Sequence, residues 1–315
     1  MKLPRYVKLL LSFAVSVLFL FLIYRKIDFA SLAGTLKAAN WKYFLFYILL
    51  FIPQIAVATL RWQYILSKVN HYPVTYFHAL QMVVGSYSAN LVIPAKMGEM
   101  VRVFWVDKSK SRYKPLVLVL FEKVWDLLAV YFIAYIALFF LIRGHSSYAI
   151  LFRYATLANV IGLIVVVGVF YFRTKSKKGA GGRLQKVLDA PLELVVENRD
   201  KLLQVLVWSM LLWLIQLLQF YYMFLVFDIQ LSLPLALAGG GLGVLAGALV
   251  VSIGGIGPRD AALIWFYAGI ISKEILVSVG IISVFRIVVP ALMGLPFFIN
   301  LSFSRKSWKT PSGKH

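Results

Sequence analysis

Glu122 and Asp126 stand four residues apart inside a run, 115–142, that is otherwise almost wholly apolar. Four residues is little more than one helical turn, so both carboxylates lie on one helix face, about two turns from the start of the run. Other charges sit at comparable depth: Arg286 near the middle of the last apolar run, and Arg259 with Asp260 beside a glycine cluster. A carboxylate or arginine facing lipid at the centre of a span costs about 2.5–3.5 kcal/mol. Together these charges would cost roughly 10 kcal/mol or more, comparable with the whole stability of a folded domain. They must therefore face the protein interior and largely neutralise one another. Two readings follow and are compatible: a buried ion-pair network that orders a helix bundle, and a polar lining for a headgroup path or a proton relay.

The elements that position these charges are two broken hydrophobic segments, 79–102 and 237–264. Each is an apolar run rich in small residues, interrupted by a Gly/Pro turn and followed at once by charge. Irregular backbone at membrane depth survives only against protein or a water-filled cavity, and paired interruptions in two halves of a chain point to a transport site. At the first turn cluster Asn90, Pro94, Lys96, Gly98, Glu99 and Arg102. Gly98 is expected to free the backbone, and Glu99 to meet the favourable end of a new helix dipole. At the second, Gly254, Gly255 and Gly257 permit a tight turn, Pro258 suits a first helical position, and Asp260 follows in the first turn. N–H groups at such helix starts, beside Asn90, Lys96, Arg102 or Arg259, are expected to hold a lipid phosphate. Glu99, Glu122, Asp126, Asp260 and Arg286 are then expected to balance charge or relay a proton. Plainer readings stand beside these. Gly239, Gly243 and Gly247 fit close helix packing, Arg61 and Arg102 fit anchoring at the cytoplasmic interface, and Trp41, Trp62, Trp105 and Trp208 fit an interfacial belt.

Composition sets the environment. Of 315 residues, 61% are hydrophobic and only 14% charged, well below the quarter typical of soluble domains, which places the chain in a bilayer. The net charge of +21 is distributed over short segments between apolar runs, so it reads as membrane topology and attraction to anionic lipid, not as a nucleic-acid groove. There is no cysteine, and the histidines at 71, 78, 145 and 315 fall singly, so no metal site or cofactor is implied. Ser86, Ser88 and Ser252 have no histidine at a suggestive position, which leaves no hydrolase constellation.

Runs long enough to cross a hydrocarbon core of about 30 Å occupy 7–24, 41–60, 115–142, 150–172, 202–227 and 275–301. The apolar stretch 9–24 of the first run follows Lys2, Arg5 and Lys8, has no small-residue cleavage site after it, and reads as a retained signal anchor. Residues 29–40 and the amphipathic stretch 183–201 suit the interface, and 174–182 is a linker. The expected fold is all-α: one membrane domain over 1–315, a polytopic bundle of about six full spans plus two re-entrant segments, or about eight spans. With the re-entrant reading every strongly basic segment falls on one side, both termini are cytoplasmic, and halves 1–146 and 147–303 form an inverted repeat before a basic tail, 304–315. The expected location is the plasma (inner) membrane.

The turn Asn90-Leu91-Val92-Ile93-Pro94 with Gly98, Glu99 and Arg102, the Glu122–Asp126 pair, and Gly254-Gly255-Ile256-Gly257 before Arg259-Asp260 together resemble the lysylphosphatidylglycerol synthase transmembrane region, also called the flippase-like domain family. The resemblance runs from about residue 5 to 303. It implies an integral membrane protein that moves or presents lipids, which among relatives are aminoacylated phosphatidylglycerol, polyprenyl-linked sugars or hopanoid-type lipids. Relatives that synthesise lysyl-lipid carry a soluble transferase domain after the spans, whereas this sequence stops at His315, so synthase activity is not expected. The second turn departs from the family pattern, with Pro258 and Asp260 where relatives commonly have a non-proline residue and Glu. The partners implied are membrane lipids, either an anionic phospholipid or a polyprenyl-linked lipid, with a separately encoded transferase or a second copy of the chain as further ones. Three functions stay open on this basis: a lipid flippase, a scaffold for a lipid-modifying transferase, and an intramembrane lipid-phosphate enzyme.

Overall fold

The computed structural model of the chain describes residues 34, 37–90, 97–107, 111–143, 148–175, 193–249 and 257–307. Proline placement sets many of the helix boundaries. Helix α1 (Trp41–Leu49) stops four residues before Pro53, whose ring would strike the carbonyl of Leu49, and α2 (Phe51–Tyr64) resumes after Leu50. A π-helical turn, Ile65–Val69, extends α2, so that residues 41–69 form a single 29-residue apolar rod. Helix α3 (Tyr76–Ala89) starts at Thr75, whose hydroxyl accepts from the N–H of His78. A 3-10 helix, Met97–Phe104, follows. Pro115 opens α4 (Pro115–Ile142) at the first helical position, where its missing N–H loses nothing. Then come α5 (Ala149–Lys175), α6 (Arg199–Leu225), α7 (Leu233–Leu249), α8 (Pro258–Phe266), α9 (Lys273–Ser283) and α10 (Phe285–Ser307).

The expected all-helical membrane architecture is present: four helical stretches, Trp41–Val69, Pro115–Ile142, Arg199–Leu225 and Lys273–Asn300, are long and apolar enough to cross a bilayer, and shorter apolar helices accompany them. Both broken segments are interrupted, as α3 with the 3-10 helix and as α7 with α8. The expected last span is also interrupted, at Val284, nearly two turns before Pro290, which leaves the carbonyl of Arg286 without a helical donor. The first span, the linker and most of 183–201 lie outside the described residues.

Packing crosses the two halves of the chain. Helix α10 lies directly against α3, and α7 against α4 and α8. At the first contact a side chain on Gly294 would overlap the carbonyl of Val84, and Ser88 donates its hydroxyl proton to the Ala291 carbonyl at 2.7 Å. At the second, three consecutive glycines touch three neighbours: Gly239 faces Tyr267, Gly240 faces Phe220 and Gly241 faces Ala134. Gly239 and Gly243 both face α8, as close helix packing predicts.

Polar clasps close both ends of the bundle. At one end the Asn40 N–H donates to the Val226 carbonyl at 2.7 Å, and its amide donates to Asp228. At the other, buried Asn70 accepts from the N–H of Tyr113 at 2.9 Å, while Tyr113 donates its hydroxyl to Glu197. Between them lie two apolar cores. Along α4 one ends at Phe121 and the other begins at Ala129, and the carboxylates Glu122 and Asp126 occupy the gap.

Candidate functional site

Six side chains close a ring of alternating charge in that gap. Arg61 of α2 binds Glu122 at 2.6 Å and Asp126 at 2.5 Å. Glu122 binds Arg102 at 2.7 Å, Arg102 binds Glu99 at 2.7 Å, Glu99 binds Lys123 at 2.6 Å, and Lys123 returns to Asp126 at 3.3 Å. Three cations alternate with three carboxylates, so the ring is neutral. Helix α6 pins it from the fourth side, with Trp213 Nε1 donating to Asp126 at 2.8 Å and Ser209 accepting from Arg61 at 3.0 Å. Arg102 also lies over the Trp62 ring, 4.7 Å from its centre. Arg61, Arg102 and Glu122 are almost completely buried, whereas Lys123 retains a third of its side-chain exposure. Such a network adds little net stability against an apolar replacement, but removing a single member leaves a buried charge unpaired.

The sequence-predicted residues fall as follows. Glu122 and Asp126 share a face and share Arg61, as their spacing requires. Glu99 occupies the first turn of the 3-10 helix, but its carboxylate is directed to Arg102 and Lys123 and not to that helix's N–H groups. Asn90 accepts from the N–H of Gly98 through Oδ1 at 2.8 Å and so ties the 3-10 helix to the end of α3. Gly98 is required for a different reason from the expected one: it lacks a left-handed φ, and a side chain there would strike the backbone of Ala89 and Asn90. Gly257 does adopt φ +95°, which favours glycine, and its N–H donates to Asp260 at 3.1 Å as Pro258 opens α8. Asp260 takes Arg259 through both Nε and Nη2, at 2.9 and 2.7 Å. Pro94, Lys96, Gly254 and Gly255 lie outside the described residues.

Two plainer readings are corrected. Arg61 is not an interface anchor, because the π turn carries its helix on to Val69 and leaves it two turns inside the bundle, 2% exposed. Trp62 is no belt residue either, being fully buried under Arg102.

The ring forms one wall of a cavity of about 110 Å³. Asn90 and Tyr87 line it from α3, Gln54 and Ala58 from α2, Trp213 and Gln216 from α6, Arg259 from α8, and Arg286 with Pro290 from α10. Gln54 Oε1 and the Nε atoms of Arg61 and Arg102 are buried without a hydrogen-bond partner among the described residues. Among the described residues, five cations face four carboxylates here once Asp260 is included with Arg259. The excess charge is Arg286, which donates to Gln216 at 2.8 Å and lies over the Phe220 ring at 4.6 Å, with no carboxylate partner among the described residues. Gln216, Lys123 and Gln54 were not singled out from sequence. The available signal was an amide inside an apolar run, and Gln54 precedes Arg61 by seven residues, which places both on one helix face.

Comparison with known proteins accords with this architecture. No curated protein and no solved structure matched the chain. The family model described as the lysylphosphatidylglycerol synthase TM region matches residues 9–294, which include the whole ring, Arg259, Asp260 and Arg286. The chain therefore belongs to the lysylphosphatidylglycerol synthase TM region family, a membrane family of lipid handling.

Proposed function

We propose that this protein moves a lipid across the bilayer, admitting the polar headgroup to the cavity between the charge ring and Arg286 while the acyl chains stay in the membrane. The observation that carries this reading is a cation-rich polar cavity enclosed by helices whose outer faces are apolar. Parts of both broken segments line it: Asn90, Glu99 and Arg102 from one, Arg259 from the other. Interrupted helices at such a site suit a headgroup that must shed water and find fixed donors. In this reading Arg102, Arg259 and Asn90 line the path of the headgroup, Lys96 adjoins that path in sequence, and the carboxylates balance the wall. The face carrying the Asn70–Tyr113–Glu197 clasp is cytoplasmic, and the membrane is the plasma membrane.

The test is transport by purified protein in vesicles containing a fluorescent phospholipid or a fluorescent polyprenyl phosphate, with loss of the inner-leaflet signal after a membrane-impermeant reductant has removed the outer-leaflet signal. Crossing faster than in protein-free vesicles supports the proposal, and equal rates refute it. Stable lipid retention without crossing would instead support presentation to a separately encoded transferase.

A further inference from the structure

We infer that Arg286, steadied by Gln216, is the seat for an anionic phosphate headgroup, and that the ring cations Arg61, Arg102 and Lys123 are scaffold. The inference rests on reading the cavity as a headgroup site, and it names the chemistry that the site selects.

Each other cation on the cavity wall already holds a carboxylate. Arg61 holds two, Arg102 two and Lys123 two, and Arg259 is engaged by Asp260 through two of its nitrogens. Arg61 and Arg102 each keep an Nε–H unengaged among the described residues, but a phosphate reaching any of these cations would meet a charge already balanced by a carboxylate, and could take a bidentate grip only by displacing that partner. Arg286 requires no such displacement. Its one hydrogen bond among the described residues is to the neutral Gln216 oxygen, and a guanidinium has five N–H donors. Gln216 Oε1 and the Phe220 face fix its plane without neutralising it.

Depth points the same way. Glu122 and Asp126 lie only roughly 10 and 16 Å along α4 from its start, whereas Arg286 lies about 20 Å into the stretch Lys273–Asn300, itself about 42 Å long. The ring carboxylates thus lie to one side of the span centre, and Arg286, with no carboxylate partner among the described residues, lies nearest to it. A permanently charged side chain held there with no counter-ion among the described residues is unfavourable in the empty protein and is favoured when an anion arrives.

The experiment is equilibrium lipid binding by native mass spectrometry on detergent-solubilised full-length protein. Phosphatidylglycerol and the phosphate-free diacylglycerol of identical acyl chains are compared, with and without a large excess of inorganic phosphate. The wild type is expected to hold phosphatidylglycerol about tenfold more tightly. Arg286→Met should bring the two lipids to parity, Arg286→Lys should keep most of the preference, and the remote exposed cation variant Arg143→Gln should leave it unchanged. Competition by inorganic phosphate would identify the bare phosphate as the recognised group, and no competition would show that the lipid is needed to bring it there; both retain the seat. Because Arg286→Met removes an uncompensated charge, its lipid-free melting temperature should match or exceed that of the wild type, whereas a structural role predicts a fall. Equal affinity for both lipids in the wild type, or a preference that survives Arg286→Met, overturns the assignment. Binding at equilibrium needs no translocation, so failure in the vesicle assay and failure here are separate results.

Discussion

Arg61 and Asp126, 65 residues apart in sequence, meet at 2.5 Å in the middle of the ring, with the Trp213 indole N–H on the same carboxylate oxygen. That oxygen joins α2, α4 and α6, so the pair orders three of the long helices while it shapes the cavity wall. Because both partners are buried, neither can be relieved by solvent when the other is removed.

Arg61→Met should therefore lower stability by about 3–5 kcal/mol, since Glu122 and Asp126 lose their shared partner. Thermal unfolding in detergent measures it. The double variant Arg61→Met with Asp126→Leu should recover part of the loss, with a coupling of about 0.5–3 kcal/mol in a double-mutant cycle. Additive losses would show that the pair is not energetically linked.

Glycine positions differ sharply in tolerance. Gly294→Ala would drive a methyl into the Val84 carbonyl and the Ser88 hydroxyl, where backbone meets backbone and no side chain can swing away. We expect loss of monodisperse protein in size-exclusion chromatography. Gly162→Ala, with open space around it on α5, should be neutral or stabilise by up to about 1 kcal/mol.

The clasp at the start of α4 responds to alkali. Partial burial, and then its hydrogen bond to Glu197, hold the Tyr113 hydroxyl above the usual tyrosine range. A folded-state pKa raised above its unfolded value gives stability that is fully present below the ordinary tyrosine pKa of about 10 and is lost as pH rises through the folded value. Wild-type protein should thus lose stability above about pH 10 more steeply than Tyr113→Phe. Parallel slopes for the two proteins in alkaline unfolding would contradict this.

Sequence legibility followed a physical divide. Helical spacing alone put Glu122 and Asp126 on one face, and glycine with proline alone marked both interruptions, because these are local properties of the chain. Arg61 was misread because a basic residue near the end of a 20-residue run resembles an interface anchor. Only the unpredictable π turn, which extends the rod to Val69, moves it inward. The closing of the ring through Lys123 is a tertiary event, set by where the 3-10 helix docks on α4. Gln216 was overlooked because an uncharged amide leaves no charge anomaly to explain, although it is the residue that orients Arg286.

Occupation of the cavity by a headgroup is testable by chemical capture, because the chain contains no cysteine and any introduced thiol is unique. In vesicles doped with a phospholipid bearing a maleimide headgroup, Gln54→Cys places the thiol on the cavity wall, Leu127→Cys on the lipid-facing side of α4, and Lys114→Cys at the membrane surface. Covalent lipid adducts are expected in the Gln54→Cys and Lys114→Cys variants but not in Leu127→Cys, with unlabelled phosphatidylglycerol slowing the reaction of Gln54→Cys. Adducts in Lys114→Cys alone, with the thiol of Gln54→Cys unmodified by lipid while small soluble maleimides still reach it, would contradict a headgroup path through the cavity.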